Sequence, residues 1–379
     1  MKKKKVLLIT NMISPYRIPL FNYIAKKGDF DFRVIALSEK EKNREWKLAK
    51  EKIKFNYKIL SGWHLMITTK KMEIPIHLNI GLLKVLLQYN PDIIITSGYD
   101  SLAYWEAFLY CKFFRKKFIL WNGTTLLSAS GMSGLFKILK KIIVKGADRY
   151  IAYGTKAKEY LEYLGAKPKD IFIALNTVDI DFFVPKTLKY RMSLEFVKER
   201  KKYPKILLLY VGQLIKRKGI EQVLKALSIL RDDDLGIIIV GSGPEEDCLK
   251  NFCQKNKLSN IFFIGFHQQN ELPKYYALAD ILILPSINEV WGLVVNEALA
   301  CGLFVLCSKY AGSCYDIINK KNGIIFDPYN INEIIYILKK VKKNIVKIKK
   351  RRKIIAQNNE KLKIENSAFM FLKTINSLI

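Results

Sequence analysis

At 379 residues the chain is long enough for two domains that each bury a core, and a composition 50% hydrophobic and 26% charged excludes an intrinsically disordered protein. Lys and Arg number 65 against 34 Asp and Glu, a formal net charge of +31 that implies attraction to anions: nucleic acid, anionic lipid or a phosphorylated substrate. No uncharged apolar run reaches the roughly 18–20 residues of a transmembrane helix, so no spanning helix is expected.

The chain opens MKKKKVLLITNMISPY, with the basic start and apolar stretch of a signal peptide. However, VLLIT is only five residues long, polar Thr10 and Asn11 follow, and no small-residue cleavage site appears, so the segment reads as a first buried strand. A helix near 18–27, the strand FRVIAL, the helix IGLLKVLLQYN and the strand PDIIITSG follow. Then come a helix near 101–114, the strand KFILWN, a helix near 134–146 and the strand RYIAYG. Short β-branched runs separated by helices indicate a parallel sheet covered on both faces.

The alternation lapses near NTVDIDFFVPKTLKYRMSLE, where a polar, Pro-containing linker is expected at about 185–203. It restarts with KILLLYVG, GIEQVLKALSIL, GIIIVGSG, a helix near 245–256, IFFIGF, ELPKYYALA, DILILPS, a helix around 292–301 and FVLCS. Two doubly wound α/β domains make the cleft between them the default binding site. The six cysteines show no CxxC and no paired spacing, several lie in apolar runs, and the three histidines are widely separated. A zinc site is therefore not expected, and a reducing cytoplasm fits best.

Ligands of parallel α/β sheets bind beyond the carboxyl ends of the strands. Four such loops of the second domain carry chemistry. QLIKRKG (213–219) sets Lys216, Arg217 and Lys218 ahead of a helix start, and GSGPE (241–245) offers Gly241 and Gly243 for close backbone approach. Phe266 and His267 follow IFFIG, and EVWGLVVNE (289–297) follows DILILPS. Gly292, Leu293 and Val294 should open a helix, with amides that lack intrahelical partners and face an anion. Glu289 and Glu297 bracket that turn as acceptors for sugar hydroxyls. A diphosphate flanked by two sugars uses all of these groups, and a nucleotide sugar is such a ligand. RDDDL (231–235) joins a helix to a strand at the sheet's opposite end and reads as a solvated turn, so no metal is expected.

Residues 205–330 resemble the donor-binding domain of the retaining glycosyltransferases of family 4, also called glycosyl transferases group 1. The matching stretches are VGQLIKRKG, VGSGPE, IGFHQQNELPKYYALADILILPS, NEVWGLVVNEALACG and NGIIFDP, with weaker similarity in ADRYIAYGTKAKEYLEYLG and LNTVDIDFF. The resemblance implies an α/β protein of GT-B fold, two Rossmann-like doubly wound parallel-sheet domains facing a cleft. Residues 1–185 are then the acceptor-side domain, 186–360 the nucleotide-sugar donor domain, and 361–379 a C-terminal helix packing back towards the first. Catalytic roles are implied for Glu289, Lys218 and Glu297. Lys218 contacts the donor diphosphate, the amides of Gly292, Leu293 and Val294 hold the distal phosphate, Glu289 binds the transferred sugar and Glu297 the ribose. Gly212, Gln213, Lys216, Arg217, Gly241 and Gly243 complete the donor site, and the backbone around Phe266 and His267 flanks the base. The donor serves as substrate, with no further cofactor.

Three positions depart from the family. Gln213 stands where Arg is common, so Lys216 or Arg217 supplies that charge. The loop after the first strand reads NMISPYRIP in place of paired glycines, and Asn122, Gly123 and Thr124 stand where a His often follows the strand FILW. In the front-face retaining mechanism attributed to the family, the leaving phosphate itself can take the acceptor's proton, so a histidine base is not required.

Two amphipathic segments bear on the acceptor. GLFKILKKIIVK (134–145) puts Leu135, Ile138, Leu139, Ile142 and Ile143 on one side and Lys137, Lys140, Lys141 and Lys145 towards the other. Ile334, Leu338, Val341, Ile345 and Ile348 follow a 4-3-4-3 spacing beside the cation-rich KKVKKNIVKIKKRRK. Each is either a covering helix with a solvated lysine face or a surface that docks on anionic lipid near a lipid-linked acceptor; KFFRKK (112–117) adds to such a patch. The reading is thus a cytoplasmic transferase, peripheral at the inner face of the membrane, for a glycan or lipid-linked acceptor of polysaccharide or lipopolysaccharide synthesis. A nucleic-acid binder fits poorly, since the cations are spread over many helices and no recognised module appears. A GT-B nucleotide-sugar epimerase or phosphorylase stands as the alternative within the fold.

Overall fold

The computed structural model describes residues 3–41, 46, 48–68, 73–79, 81–129 and 134–379, and the chain divides into two compact units. Unit 1 holds Met1–Asn176 and Ile364–Ile379, and unit 2 holds Thr177–Lys363.

In unit 1 the order is β1 (Lys5–Thr10), α1 (Ile18–Lys27), β2 (Asp31–Ala36), β3 (Asn56–Ile59), β4 (Trp63–Thr68), β5 (Glu73–Leu78) and α2 (Leu82–Tyr89). It continues with β6 (Ile93–Thr96), α3 (Leu102–Phe113), β7 (Lys117–Asn122), α4 (Gly134–Gly146), β8 (Arg149–Ala152), α5 (Thr155–Leu164) and β9 (Ile171–Ile173). Seven strands form a parallel sheet in the order β3-β2-β1-β6-β7-β8-β9, so the winding reverses between β1 and β6. Strands such as IIIT of β6 are buried along their whole length, as expected when helices cover both faces. The hairpin β4–β5 is antiparallel and interrupts the alternation; the sequence reading had no element there.

Unit 2 begins with α6 (Ile180–Arg191) and α7 (Leu194–Arg200), where the sequence suggested a polar, Pro-containing linker. Asp179 and Ser193 cap these helices by accepting from the amides of Phe182 and Phe196, and Pro185 is accommodated inside α6. Arg191 then ties α6 to the unit by donating to the carbonyls of Tyr276, Ala277 and Cys301. This is why the division falls at Asn176/Thr177, ahead of the polar stretch.

The remaining elements are β10 (Ile206–Val211), α8 (Ile220–Leu230), β11 (Leu235–Val240), α9 (Glu246–Lys255), β12 (Ile261–Gly265), α10 (Leu272–Leu278) and β13 (Ile281–Leu284). After them come α11 (Leu293–Ala300), β14 (Phe304–Ser308), α12 (Ser313–Ile317), β15 (Gly323–Phe326), α13 (Ile331–Lys350) and α14 (Arg352–Gln357). The six-stranded parallel sheet runs β12-β11-β10-β13-β14-β15, with its switch between β10 and β13. The last helix, α15 (Ile364–Asn376), returns to unit 1, where Phe371 meets Trp121 edge-on at 5.1 Å between ring centroids.

Ion pairs concentrate at the amino end of the second sheet. Asp280, just before β13, is buried and accepts from Arg200, Arg352 and the backbone amide of Leu207, with Lys349 3.2 Å away. Asp232 and Asp234, from RDDDL, both pair with Lys342 of α13. The acids of that turn thus brace a helix, and the carboxyl end is left for the ligand.

The two amphipathic segments part company. Helix α13 buries Ile334, Leu338, Val341 and Ile348, so its stripe belongs to the core of unit 2. Helix α4 departs from the expected split at Lys140, which points inwards and is only 7% exposed, while Phe136, Ile138, Leu139 and Ile142 are exposed, as are Lys137 and Lys145. Ile143 and Val144 are the residues that pack, and the side chain of Leu135 lies outside the described part.

Candidate active site

The four loops singled out in the sequence sit at the carboxyl ends of β10, β11, β12 and β13. After β10, Gly212 leads into Gln213, whose carbonyl accepts from buried Tyr210. Lys216–Lys218 form one turn of 3-10 helix that stops at Gly219, the residue ahead of α8. Gly241 and Gly243 follow β11. At Gly241 (φ +144°) a Cβ would lie 1.9 Å from the carbonyl oxygen of Gly212, so these two loops pack backbone to backbone, as only glycine permits.

The turn between β13 and α11 is held on both sides. The amide of Ile287 donates to the carbonyl of Arg217, and the amide of Gly312 donates to the carbonyl of Glu289. Gly292 (φ +90°) starts α11 without a side-chain cap, and an added Cβ would meet Leu284 at 2.7 Å. The first amides of α11 therefore lack intrahelical acceptors, and Gly292, Leu293 and Val294 are all partly exposed. They form an anion-compatible terminus.

The two loops meet through side chains. Lys218 Nζ pairs with Glu289 Oε2, with only 16% and 12% of the side chains exposed, and Ser286 Oγ also donates to that oxygen at 3.4 Å. Arg217 reaches the carbonyl of Asn288 at 3.4 Å, whereas Lys216 is exposed. Glu297 lies elsewhere: it is fully buried and accepts from the hydroxyl of Tyr276 on α10. His267 bonds Tyr275 at 2.8 Å and lies 3.1 Å from Glu271, with Phe266 beside it, both partly exposed.

Sequence reasoning thus picked out Lys218, Glu289 and the α11 amides as separate contacts, and the structure joins the first two directly. It missed Tyr276 and Ser286. The tyrosine pair in KYYALAD gave no spacing signal, because its bonds to His267 and Glu297 join α10 to a separate loop and to α11. A groove of about 570 Å³ along β15 and α13, lined by Phe304, Ile324, Lys340, Val341 and Arg351 among others, shares no residue with these loops.

Residues 193–361 match the family model described as glycosyl transferases group 1. The chain is 32% identical over 172 residues to an uncharacterized glycosyltransferase, MJ1607, of Methanocaldococcus jannaschii, covering 44% of this chain and 43% of that protein. It is 30% identical over 199 residues to the D-inositol 3-phosphate glycosyltransferase of Paenarthrobacter aurescens, covering 50% and 47%. The chain thus spans about half the length of these curated relatives. Over 98% of this chain and 100% of the other, the fold superposes on Anabaena Alr3699/HepE in complex with UDP, with a TM-score of 0.76 at 17% identity. The chain has the two Rossmann-like domains of the GT-B fold, and residues 193–361 carry its match to glycosyl transferases group 1.

Proposed function

We propose that the protein is a retaining glycosyltransferase that moves a sugar from a nucleotide-diphosphate sugar to a glycan or lipid-linked acceptor of the cell envelope. The observation that carries this reading is the Lys218–Glu289 pair beside the uncapped α11 terminus, a cation, a hydroxyl acceptor and free amides in one place. Lys218 and the amides of Gly292, Leu293 and Val294 hold the diphosphate, and Glu289 orients the transferred sugar. As the glycosidic bond breaks, negative charge grows on the departing phosphate, where the lysine and the helix terminus stabilise it most. The acceptor hydroxyl attacks from the same face and its proton passes to that phosphate oxygen, so the products are the glycosylated acceptor and the nucleoside diphosphate. Gly212, Gln213, Gly241 and Gly243 give the donor close backbone approach, Arg217 and Lys216 add charge, and Phe266 and His267 flank the base. Glu297 serves the ribose once Tyr276 yields part of its bond.

UDP-sugars are the first donors to test, because the similar Anabaena structure holds UDP. A thermal-shift screen of UDP-, GDP-, ADP- and CMP-sugars should single out one base, since a ligand at about a hundred times its Kd adds about 2.7 kcal/mol. NMR of the product anomer decides between retention and inversion. Stabilisation by none of the four sinks the reading.

The same reading places the protein at an anionic membrane surface. Phe136, Ile138, Leu139 and Ile142 stand exposed on α4 beside Lys137 and Lys145, and Phe113 of α3 is 81% exposed. Apolar side chains among cations fit the headgroup region of an anionic leaflet. No helix among the described residues is long and apolar enough to cross a membrane.

A further inference from the structure

Arg17 lies in the loop after β1, at the carboxyl end of unit 1's sheet. Its guanidinium stands 4.4 Å from the ring centroid of Trp121 and 5.0 Å from that of Tyr153, and the two rings are 5.4 Å apart. The three groups make a nearly equilateral corner, with the cation seated against both rings. Trp121 is backed by Phe21 and Phe371, so the platform is fixed by the core.

The part-buried arginines of unit 2 give a comparison. Arg191 and Arg200 spend their Nη groups on backbone carbonyls, and Arg200 and Arg352 also reach Asp280. Arg17 does neither: among the described residues no carboxylate and no backbone carbonyl accepts from its side chain, and Tyr153 is the polar group beside it. Burial lowers its pKa, and Tyr153 opposes that shift only in part. Tyr153 also hydrogen-bonds the guanidinium, and a guanidinium carries five N–H donors, so donors remain for a carboxylate or phosphate.

Its surroundings are polar in the way a ligand site is. At the β1/β6 switch point, Tyr104 donates to Asn11, and the Ser97 hydroxyl lies 3.0 Å from those of both Tyr104 and Thr10. Asn122, at the end of β7, donates to the carbonyl of Thr124. Arg17 is partly exposed, so a ligand can reach it.

We propose that Arg17 is the contact for an acidic group, a phosphate or a carboxylate, on the sugar acceptor. This rests on the transferase reading and narrows it: the acceptor carries a negative charge. Neutral glycans are then poor acceptors, and salt weakens acceptor binding more than it weakens neutral-sugar binding.

The test titrates the full chain, by calorimetry, with glucose 6-phosphate, glucuronate and glucose, and separately with UDP. Wild type should bind at least one acidic sugar tenfold or more tighter than glucose, and which one it prefers separates phosphate from carboxylate. Arg17→Gln should abolish that preference and leave UDP affinity unchanged. Arg17→Lys, which keeps the charge but not the fork, should keep part of it; this variant decides the matter if Arg17→Gln melts below the working temperature. Acidic sugars no tighter than glucose, or a preference that survives in Arg17→Gln, overturn the proposal. Parallel loss of UDP binding overturns it too, by assigning the anion to the donor. A wild type that binds no nucleotide removes the transferase reading instead, while the acidic-sugar arm still decides what Arg17 contacts.

Discussion

Lys218 and Glu289, 71 residues apart in sequence, neutralise each other at the carboxyl end of unit 2's sheet. A diphosphate entering there must compete with the carboxylate for the lysine. Glu289→Ala should therefore leave UDP binding unchanged or a few-fold tighter, while the transfer rate falls by about two orders of magnitude. Lys218→Ala should weaken UDP about tenfold, the size of one charged hydrogen bond. Calorimetry on both single variants and the double variant measures the coupling. Equal loss of UDP affinity in the two single variants would contradict these separate roles.

Glu297 should behave differently from Glu289. Its carboxylate is enclosed and bonded to Tyr276, so Glu297→Ala should cost about 1.5–3 kcal/mol of stability and Tyr276→Phe about 1 kcal/mol. Urea titration reads both. Intact-donor affinity that rises in Tyr276→Phe would favour the ribose contact, because the hydroxyl that competes for Glu297 is gone, and unchanged affinity would leave Glu297 a structural role.

Asp280 gathers Arg200, Arg352 and Lys349 at the amino end of the sheet. Asp280→Asn leaves two part-buried guanidiniums without their acid and should cost about 1–3 kcal/mol. Its effect should stop there: UDP affinity of the folded protein should match wild type, because the site lies at the other end of the strands.

Thiol labelling should distinguish one cysteine from five. Cys248 is exposed and the other five are buried. Burial pushes the thiols of Cys111 and Cys301 up to about 12 and that of Cys253 to about 11. Since the thiolate is the nucleophile, raised values leave these groups protonated at pH 8 and unreactive. One equivalent of reagent should react quickly in native protein and six in urea, with peptide mapping to locate the fast site.

For the membrane, the informative lysines are those that α4 leaves outside. Lys137, Lys141 and Lys145 changed together to Gln should reduce co-sedimentation with anionic vesicles, about 1 kcal/mol for each lysine near the surface, and more so at low salt. Lys140→Gln should instead act on folding, because Lys140 is buried over the Tyr99 ring, with the charge of Asp100 opposing the lowering of its pKa by burial. Binding that is unchanged in the triple variant would leave the exposed apolar face without a lipid role.

Local patterns carried much of this in the sequence alone. Runs such as LLLYV and GIIIV fixed the strands, and Gly292 and the KRKG turn marked the helix starts that bound the site, because strand, turn and helix preferences act within a few residues. The facing of α4 was not legible. The stripe through Ile138, Leu139, Ile142 and Ile143 was marked, but Phe136 and Val144 widen the apolar surface beyond it, and packing within unit 1 chose Ile143 and Val144 for the core. The linker at 185–203 failed for a related reason: Pro185 and a polar surface suggest irregular chain, but the Arg191 contacts that secure α6 come from residues 276, 277 and 301. Tertiary structure alone decided that Lys218 meets Glu289, that Glu297 turns to Tyr276, and that Arg17 sits against the rings of Trp121 and Tyr153. Those are pairings between distant loops, set by how the strands wind, and no spacing along the chain encodes them.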